Sequence, residues 1–203
     1  MNIFMKNQKS NFSKDSKKYL NQLNLIFSDQ ILIQVEKLAI HLRKIWQEER
    51  NLFICGNGGS AANAIHLAND FHYGVGACGN PPYTKGLKVE ALPANAGVIT
   101  CLGNDIGYEN IYSHQLNNKA TTGDLLIVLS GSGNSKNICN VLETANEKNV
   151  FSYAILGFDG GKSLNLADCP IHFAVNDMQI AEDTQLIVGH LCMQWLTKNK
   201  PNF

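Results

Sequence analysis

The sequence predicts an α/β domain with a doubly wound parallel sheet of about five strands, preceded by an extra helix. Two observations predict this class. Short, continuously apolar runs alternate along the chain with stretches of helical periodicity, and two of these runs end in glycine-rich turns. Strands that are apolar throughout are buried on both faces, as in a parallel sheet covered by helices on both sides.

The N-terminal part predicts a tail and then a long helix. Residues 1–17 are polar and lysine-rich and are predicted to be a flexible tail, so that one domain spans residues 18–203. The helix is indicated by apolar residues at three- and four-residue spacing: Ile31, Val35, Leu38, Leu42 and Ile45. Its apolar face is predicted to pack on the sheet or on a partner subunit.

The remaining elements follow in chain order. The predicted strands are 51–56, 89–92, 124–130, 151–158 and 171–175, and the predicted helices between and after them are 61–71, 108–117, about 135–148 and 181–198. Segment 97–105 (GVITCLGND) is left open between a helix and a strand, because its periodicity favours neither. Segment 74–88 is rich in glycine and proline and is predicted to be a loop.

Composition narrows the class of partner. In the 203 residues, 17 basic side chains balance 17 acidic ones, whereas a nucleic-acid-binding protein usually carries a basic excess. No apolar run approaches the roughly 20 residues that span a bilayer, and the N-terminus lacks the apolar core of a signal peptide. The six cysteines are scattered without a C-x-x-C pair. These features predict a cytoplasmic protein that binds neither nucleic acid nor membrane.

Two strand-to-helix turns have the composition of anion-binding loops. Asn57, Gly58, Gly59 and Ser60 follow the first predicted strand, and the stretch Ser130–Ser135 (SGSGNS) follows the third. Helix N-termini offer unpaired N–H groups and a positive dipole end, and glycine lets an anion approach the backbone. Neither turn contains a basic residue, so recognition by N–H and O–H donors predicts a single phosphate group on a small polar molecule.

A dinucleotide site is the competing interpretation of the first turn. Residues 56–61 formally fit the pattern G-x-G-x-x-G/A. That pattern also requires an acidic residue about twenty positions on, at the end of the next strand. Residues 74–88 contain no aspartate or glutamate, and Glu90 lies within the next predicted strand. NAD binding is therefore the weaker hypothesis.

Several side chains near the two turns are candidates for chemistry. His66 and Asp70 share one helix face at i, i+4 spacing, either as a functional pair or as a simple surface hydrogen bond. His190 lies in an apolar stretch, as a core histidine or as a general acid or base. Asn104 and Asp105 either form an Asx turn or contact substrate hydroxyls. On one straight helix, Glu182 and His190 would be about 12 Å apart, too far to bind the same ion.

Four stretches, in this order and spacing, resemble the SIS (sugar isomerase) family: GNGGSAANAIHLAND, GND, LSGSGNS and AEDTQLIVGH. They are most similar to its phosphoheptose isomerases, and the resemblance runs from about residue 30 to 198. It implies a flavodoxin-like SIS fold, a homotetramer with sites built from neighbouring subunits, and conversion of sedoheptulose 7-phosphate to glycero-manno-heptose 7-phosphate. The product would serve the synthesis of nucleotide-activated heptose for lipopolysaccharide or another surface glycan.

The resemblance also implies roles for individual residues. Asp70 would be the catalytic carboxylate and His190 its acid/base partner. The positions that hold one zinc ion or touch substrate are His66, Asp70, Glu182 and His190. The further substrate-binding positions are Asn57, Gly58, Gly59, Asn104, Asp105, Ser130, Gly131, Ser132 and Ser135, and Ser60 joins them as a hydroxyl donor of the first turn.

Two positions depart from the family pattern. The family typically has glutamate at the position of Asp70 and glutamine at the position of Glu182. The shorter carboxylate at residue 70 favours an alternative hypothesis, a non-catalytic SIS protein that binds a phosphosugar and regulates a partner such as the replication initiator.

Overall fold

The computed structural model of the protein describes residues 11–77 and 84–202. Its strands are β1 (Asn51–Gly56), β2 (Lys88–Ala91), β3 (Leu125–Ser130), β4 (Phe151–Leu156) and β5 (Cys169–His172). Its α-helices are α1 (Phe12–Ile26), α2 (Asp29–Gln47), α3 (Gly59–Asn69), α4 (Val75–Ala77), α5 (Ala96–Asp105), α6 (Ser113–Lys119), α7 (Lys136–Glu147), α8 (Ser163–Leu166) and α9 (Met178–Lys198). A π-helical turn, Asp70–Gly74, follows α3, and a 3-10 turn, Tyr108–Asn110, precedes α6.

The five strands form one parallel sheet in the order β2-β1-β3-β4-β5. This confirms the predicted doubly wound sheet, and the order is that of the flavodoxin type. In this topology the chain winds in opposite directions from β1 and β3, so a crevice opens at their carboxyl ends. Both glycine-rich turns lie at this crevice, because one follows β1 and the other follows β3.

The sheet is buried on both faces. Along β1, Leu52 and Ile54 belong to the apolar cluster that includes α2, α3 and α9, whereas Phe53 and Cys55 belong to the cluster on the opposite face. The alternation follows from the two-residue period of a strand. The predicted apolar face of α2 packs within this chain, since Val35, Leu38, Leu42 and Ile45 are all at most 5% exposed.

The N-terminal prediction needs a correction. Residues 12–17 of the predicted tail belong to helix α1, and residues 1–10 lie outside the described part of the chain. The helix begins where the Asn11 side chain accepts a hydrogen bond from Lys14 N at 3.1 Å. It is fixed by contacts that sequence periodicity alone did not reveal, because Tyr19 packs against the core and donates a hydrogen bond to Asp183 Oδ2 of α9 at 2.6 Å.

Several element boundaries also differ from the predictions. Segment 97–105, left open, is helical, and Asn95 caps it by accepting from Val98 N. The helix predicted over 108–117 is divided into the 3-10 turn and α6. The last strand was predicted over 171–175, but its ladder with β4 ends at His172, where β4 itself ends at Leu156.

The predicted loop 74–88 is partly helical. The chain continues from α3 through the π-helical turn into α4, and residues 78–83 lie outside the described residues. Across the two described ranges, no helix combines the length and apolarity that crossing a membrane requires. Cys55, Cys101, Cys139, Cys169 and Cys192 are free thiols.

Candidate active site

The first turn lies between β1 and α3 and is shaped by its glycines. Gly58 caps α3 with a φ of 55°, a backbone conformation that side-chain-bearing residues rarely adopt. A Cβ at Gly59 would collide with the carboxylate of Glu182, which therefore packs directly against the turn. A carboxylate at this place is stabilised by the positive end of the α3 dipole.

The helix that starts at this turn is joined to α9 by buried polar contacts. Ser60 is 4% exposed, and its Oγ accepts a hydrogen bond from Gln185 Nε2 at 3.0 Å. Asn63 Nδ2 donates to Gln185 Oε1 at 2.9 Å and to the Glu182 carbonyl oxygen at 3.0 Å. Ser60, predicted as a ligand donor, thus also fixes α3 against the start of α9.

The second turn lies between β3 and α7 and closes largely on itself. Ser130 Oγ accepts from Gly133 N at 3.0 Å, and Ser132 Oγ accepts from Asn134 N at 3.3 Å. Ser135 is the N-cap residue of α7, yet among the described residues its side chain makes no capping hydrogen bond. Its hydroxyl is therefore available to a ligand at the N-terminus of that helix.

Gly131 of this turn is enclosed by two side chains. A Cβ at Gly131 would lie 2.6 Å from Met178 Sδ and 3.6 Å from the Phe158 ring, so a larger residue would displace the start of α9. A cleft of about 490 Å³ adjoins the turn on the side of β4 and β5, where Ser132, Asn134 and Phe158 line it. The serine-rich turn thus faces open space beside the sheet edge.

Asn104 and Asp105 lie at the end of α5 and are exposed. Asn104 Nδ2 donates to Asp105 Oδ1 at 2.8 Å, and the Cys101 thiol donates to Asp105 Oδ2 at 3.5 Å. The carboxylate raises the pKa of the Cys101 thiol through this hydrogen bond. No hydrogen bond among the described residues joins Asn104 or Asp105 to His66, Asp70 or His190.

His66, Asp70 and His190 meet at one point between α3 and α9; we call this group the triad. The two imidazole Nε2 atoms are 3.0 Å apart, and each is 3.4 Å from Asp70 Oδ2. The side chain of Asp70 is 15% exposed, while those of His66 and His190 are 50% and 45% exposed. The predicted i, i+4 pair is therefore completed by His190, which is not a core histidine.

A close contact between helices brings the triad together. A Cβ at Gly189 would collide with the Leu67 side chain, and one at Gly74 would lie 2.6 Å from Met193 Cε. Glycine at residue 189 therefore lets α9 approach α3 directly beside His190. The length of Asp70 also fits this approach, since its carboxylate reaches both imidazoles from the end of α3.

The triad fits a metal ion. Each of its residues offers one ligand atom, and these atoms all lie within 4.8 Å of one another. Tetrahedral zinc with bonds of about 2.0–2.1 Å separates neighbouring ligand atoms by about 3.3 Å, close to the observed spacing. Two histidines and one carboxylate are a known donor set of catalytic zinc, and they leave a fourth position open.

Glu182 is not part of this group within one chain. It lies on the same continuous helix as His190, eight residues away, which corresponds to a rise of about 12 Å. The structure places its carboxylate at the first turn, against Gly59. Within one chain, three of the four predicted metal ligands therefore form the triad, and the fourth, Glu182, lies apart at the first glycine-rich turn.

Fold and site together define a class of protein. A flavodoxin-type sheet with two glycine-rich turns at its crevice, and a His–Asp–His group on the adjoining helices, is typical of an open α/β domain that binds a small ligand at the carboxyl ends of its strands. The SIS domain family matches residues 17–157, which is more than half of the chain. The protein therefore belongs to the SIS domain family.

The chain is similar to several phosphoheptose isomerases. The chain is 32% identical over 174 residues to the phosphoheptose isomerase of Aneurinibacillus thermoaerophilus, covering 85% of each protein. It is 33% identical over 181 residues to that of Geotalea daltonii, covering 89% of this chain and 90% of the relative. The solved structure of phosphoheptose isomerase GmhA from Neisseria gonorrhoeae superposes with a TM-score of 0.82 at 22% identity, over 92% of this chain and 96% of that one. This superposition confirms the fold.

Sequence reasoning missed the residues that hold the turns in place. Gln185 and Asn63 join α3 to α9 by hydrogen bonds, and Gly189 allows these two helices to lie close together. Asn137 pairs with Asn57 and so connects the two turns. Asn137 follows the serine-rich turn by two residues, and Gly189 directly precedes His190. The sequence signal available for Asn137 and Gly189 was that each lies close to a predicted site residue. That signal does not show which residue each one contacts.

Proposed function

We propose that the protein is a phosphosugar isomerase that converts sedoheptulose 7-phosphate to D-glycero-D-manno-heptose 7-phosphate through an enediol. The observation that carries this proposal is the convergence of His66, Asp70 and His190 at 3.0–3.4 Å beside two anion-binding turns. The named activity of relatives that match about 85% of the chain supports it.

The triad supplies the groups that an aldose–ketose isomerisation needs. One group removes the proton from the carbon beside the carbonyl and returns it to the former carbonyl carbon, while another transfers a proton between the two oxygens. Asp70 and His190 are assigned these roles. Asp70 Oδ2 is the oxygen that faces both imidazoles, which leaves Oδ1 for proton transfer with substrate.

His66, Asp70 and His190 would hold a zinc ion, with Glu182 as a further ligand only if the assembly brings it there from another subunit. Bound zinc would polarise the substrate carbonyl oxygen. The Nε2 atoms of His66 and His190 lie 3.0 Å apart and both face Asp70 Oδ2, so both imidazoles point toward the place that the ion would take.

The two turns are assigned to the rest of the substrate. The N-terminus of α7 with Ser130, Ser132 and Ser135 would bind the phosphate through N–H and O–H groups. Asn57, Gly58 and Gly59 would contact the sugar chain, together with Asn104 and Asp105. Helix α9 supports this division, since Met178 packs at the second turn, Glu182 at the first, and His190 at the triad.

An NMR time course with sedoheptulose 7-phosphate, with and without added Zn²⁺, tests the proposal. Appearance of an aldoheptose 7-phosphate is the expected result. His190→Gln should abolish turnover while phosphosugar binding persists, and His114→Gln, which changes an exposed histidine on α6, should leave turnover unchanged. Turnover retained in His190→Gln would overturn the assignment of His190.

A phosphosugar-binding regulator is the second candidate, and the aspartate at residue 70 is the feature that favours it. The short side chain nevertheless reaches both imidazoles at 3.4 Å, which supports the enzyme. Binding of sedoheptulose 7-phosphate without turnover under every metal condition would favour the regulator.

We also propose a cytoplasmic homotetramer. Exposed apolar side chains on the two N-terminal helices support self-association, because Phe12, Leu20 and Leu25 are 86%, 63% and 78% exposed and Ile33 and Ile40 are 54% and 53% exposed. Light scattering coupled to size exclusion should give about four chain masses, whereas two chain masses, as for a dimer, or one would contradict the tetramer. The product is proposed to enter nucleotide-heptose synthesis for a surface glycan such as lipopolysaccharide.

A further inference from the structure

A partly buried pair of amides joins the two glycine-rich turns. Asn57, directly after β1, donates from Nδ2 to Asn137 Oδ1 at 2.9 Å, and Asn137 Nδ2 donates back to Asn57 Oδ1 at 2.8 Å. Asn137 lies in the first turn of α7, directly after the serine-rich turn, and is 1% exposed. The pair therefore crosses the crevice between β1 and β3, where the topology predicts ligand binding.

A third side chain completes this arrangement. The Tyr108 hydroxyl donates to the same Asn57 Oδ1 at 2.9 Å. Tyr108 lies on the 3-10 turn that follows α5, three residues after Asp105, and its side chain is about half exposed. Asn57 of the first predicted turn thus meets two residues, Asn137 and Tyr108, that closely follow the other two predicted substrate-binding segments.

The hydrogen-bonding capacity of Asn57 is then largely used. Its carbonyl oxygen has two lone pairs, and both face donors, one from Asn137 and one from Tyr108. Its amide nitrogen carries two protons, of which one is directed to Asn137. The Asn57 side chain can therefore offer a ligand one N–H donor and no acceptor.

We propose that Asn137 and Tyr108 are positioning residues that fix Asn57 as a pure hydrogen-bond donor toward an oxygen atom of the substrate. The recognised atom is a hydroxyl or phosphoryl oxygen of a sugar phosphate, so the inference rests on the proposed function. Without either partner the Asn57 amide can turn over and present its own oxygen, which repels such a ligand atom. Because Asn57 is not assigned to the reacting carbon, the loss should fall on binding.

Tyr108→Phe is the cleaner variant, because it removes one hydroxyl and keeps the ring. We expect KM and the Kd for sedoheptulose 7-phosphate to rise about tenfold, as for loss of one oriented hydrogen bond, with kcat within about twofold and the melting temperature unchanged. Asn137→Ala should raise KM at least as much, but it also leaves buried groups unpaired. An unchanged KM and Kd in Tyr108→Phe would overturn the proposal.

Asn140→Ala is the matched control. Asn140 lies on the same helix as Asn137 and also reaches the segment after α5, donating to the Glu109 carbonyl oxygen at 3.0 Å. Its loss removes a contact between the same elements without touching Asn57. If Asn140→Ala raises KM as much as Tyr108→Phe does, general loosening of these elements explains the effect and the inference is wrong.

A measurement without substrate separates this inference from the proposed function. In the NMR spectrum of the free protein, the Asn57 side-chain amide, identified by its absence in Asn57→Ala, should show one protected and one freely exchanging proton. In Asn137→Ala both should exchange freely. If the Asn57 amide protons exchange in Asn137→Ala as they do in the wild type, the inference is wrong even if the wild-type protein isomerises the sugar. If the expected exchange pattern is found but the protein turns over no sugar, the missing turnover refutes only the proposed function.

Discussion

His66 and His190 are 124 positions apart in the sequence, and their Nε2 atoms lie 3.0 Å apart in the folded chain. Both atoms face the same oxygen of Asp70 at 3.4 Å. In neutral imidazoles, one Nε2 would have to donate to the other, whereas a cation at this point lets both lone pairs point the same way. Because His66 lies on α3 and His190 on α9, the geometry of the triad depends on how closely these two helices approach.

Gly189→Ala tests that approach. The added methyl group would collide with Leu67, a core side chain that is 1% exposed. We expect a loss of about 1–3 kcal/mol in the free energy of unfolding, from overpacking, together with weaker metal binding by the triad. Urea unfolding measures the first effect and calorimetric titration with Zn²⁺ the second.

Gly103→Ala is the control for this substitution. Gly103 also lies in a helix, but a Cβ there would meet nothing within 4 Å. The same chemical change should therefore stabilise the protein by about 0.5–1 kcal/mol, through helix propensity. If both variants shift stability in the same direction, contact between α3 and α9 is not what residue 189 controls.

Asp70→Asn tests the carboxylate while keeping its size. The variant retains the shape of the side chain but loses its charge and proton-accepting capacity beside both imidazoles. We expect kcat/KM for sedoheptulose 7-phosphate to fall by about 10²–10⁴-fold, the usual range for loss of a general acid–base group. His72→Asn, two residues further on at an exposed position, should change kcat/KM by less than about twofold. A similar kcat/KM in Asp70→Asn and wild type would refute a catalytic role for Asp70.

His41 should make stability depend on pH. Burial, followed by the nearby charge of Lys44, lowers the pKa of His41 below 6.5, and its ring packs edge-on against Phe151 and Tyr153. Below pH 6.5 the unfolded chain therefore binds a proton that the folded chain still excludes, so stability falls as the pH decreases from 6.5 toward the folded pKa. In urea titrations, His41→Gln should show a smaller loss between pH 7.5 and 5.5 than wild type. Equal losses would contradict this role.

The sheet and the two glycine-rich turns were predictable because their signals are local. Continuous apolar runs such as 124–130 specify a buried strand, and glycine beside serine specifies a turn without reference to distant residues. The i, i+4 relation of His66 and Asp70 was equally local. The structure confirmed these elements because tertiary contacts reinforce the same preferences.

The arrangement of the site was not predictable in the same way. The family resemblance groups His190 with His66 and Asp70, but no local pattern does so, because their contact depends on Gly189, whose importance is visible only once Leu67 lies opposite it. Asn137 carries no motif of its own, and its role follows from the pairing of β1 with β3. The first six residues of α1 were assigned to a tail because the contacts that stabilise this helix, such as Tyr19 with Asp183, come from the far end of the chain.

Zinc should bind the triad of the free protein and stabilise it. The three ligand atoms are already close to the spacing of a tetrahedral site, so little reorganisation opposes binding. At a free Zn²⁺ concentration 100 times the Kd, the free energy of unfolding should rise by about 2.7 kcal/mol, and a chelator should reverse the increase. His66→Asn should remove most of this gain, whereas His114→Ala, an exposed histidine on α6, should keep it. If both variants respond to Zn²⁺ like the wild type, the ion binds elsewhere, and the triad is instead a hydrogen-bonded acid–base group. Retention of the response in His114→Ala alone would place the ion at the point where α3 meets α9.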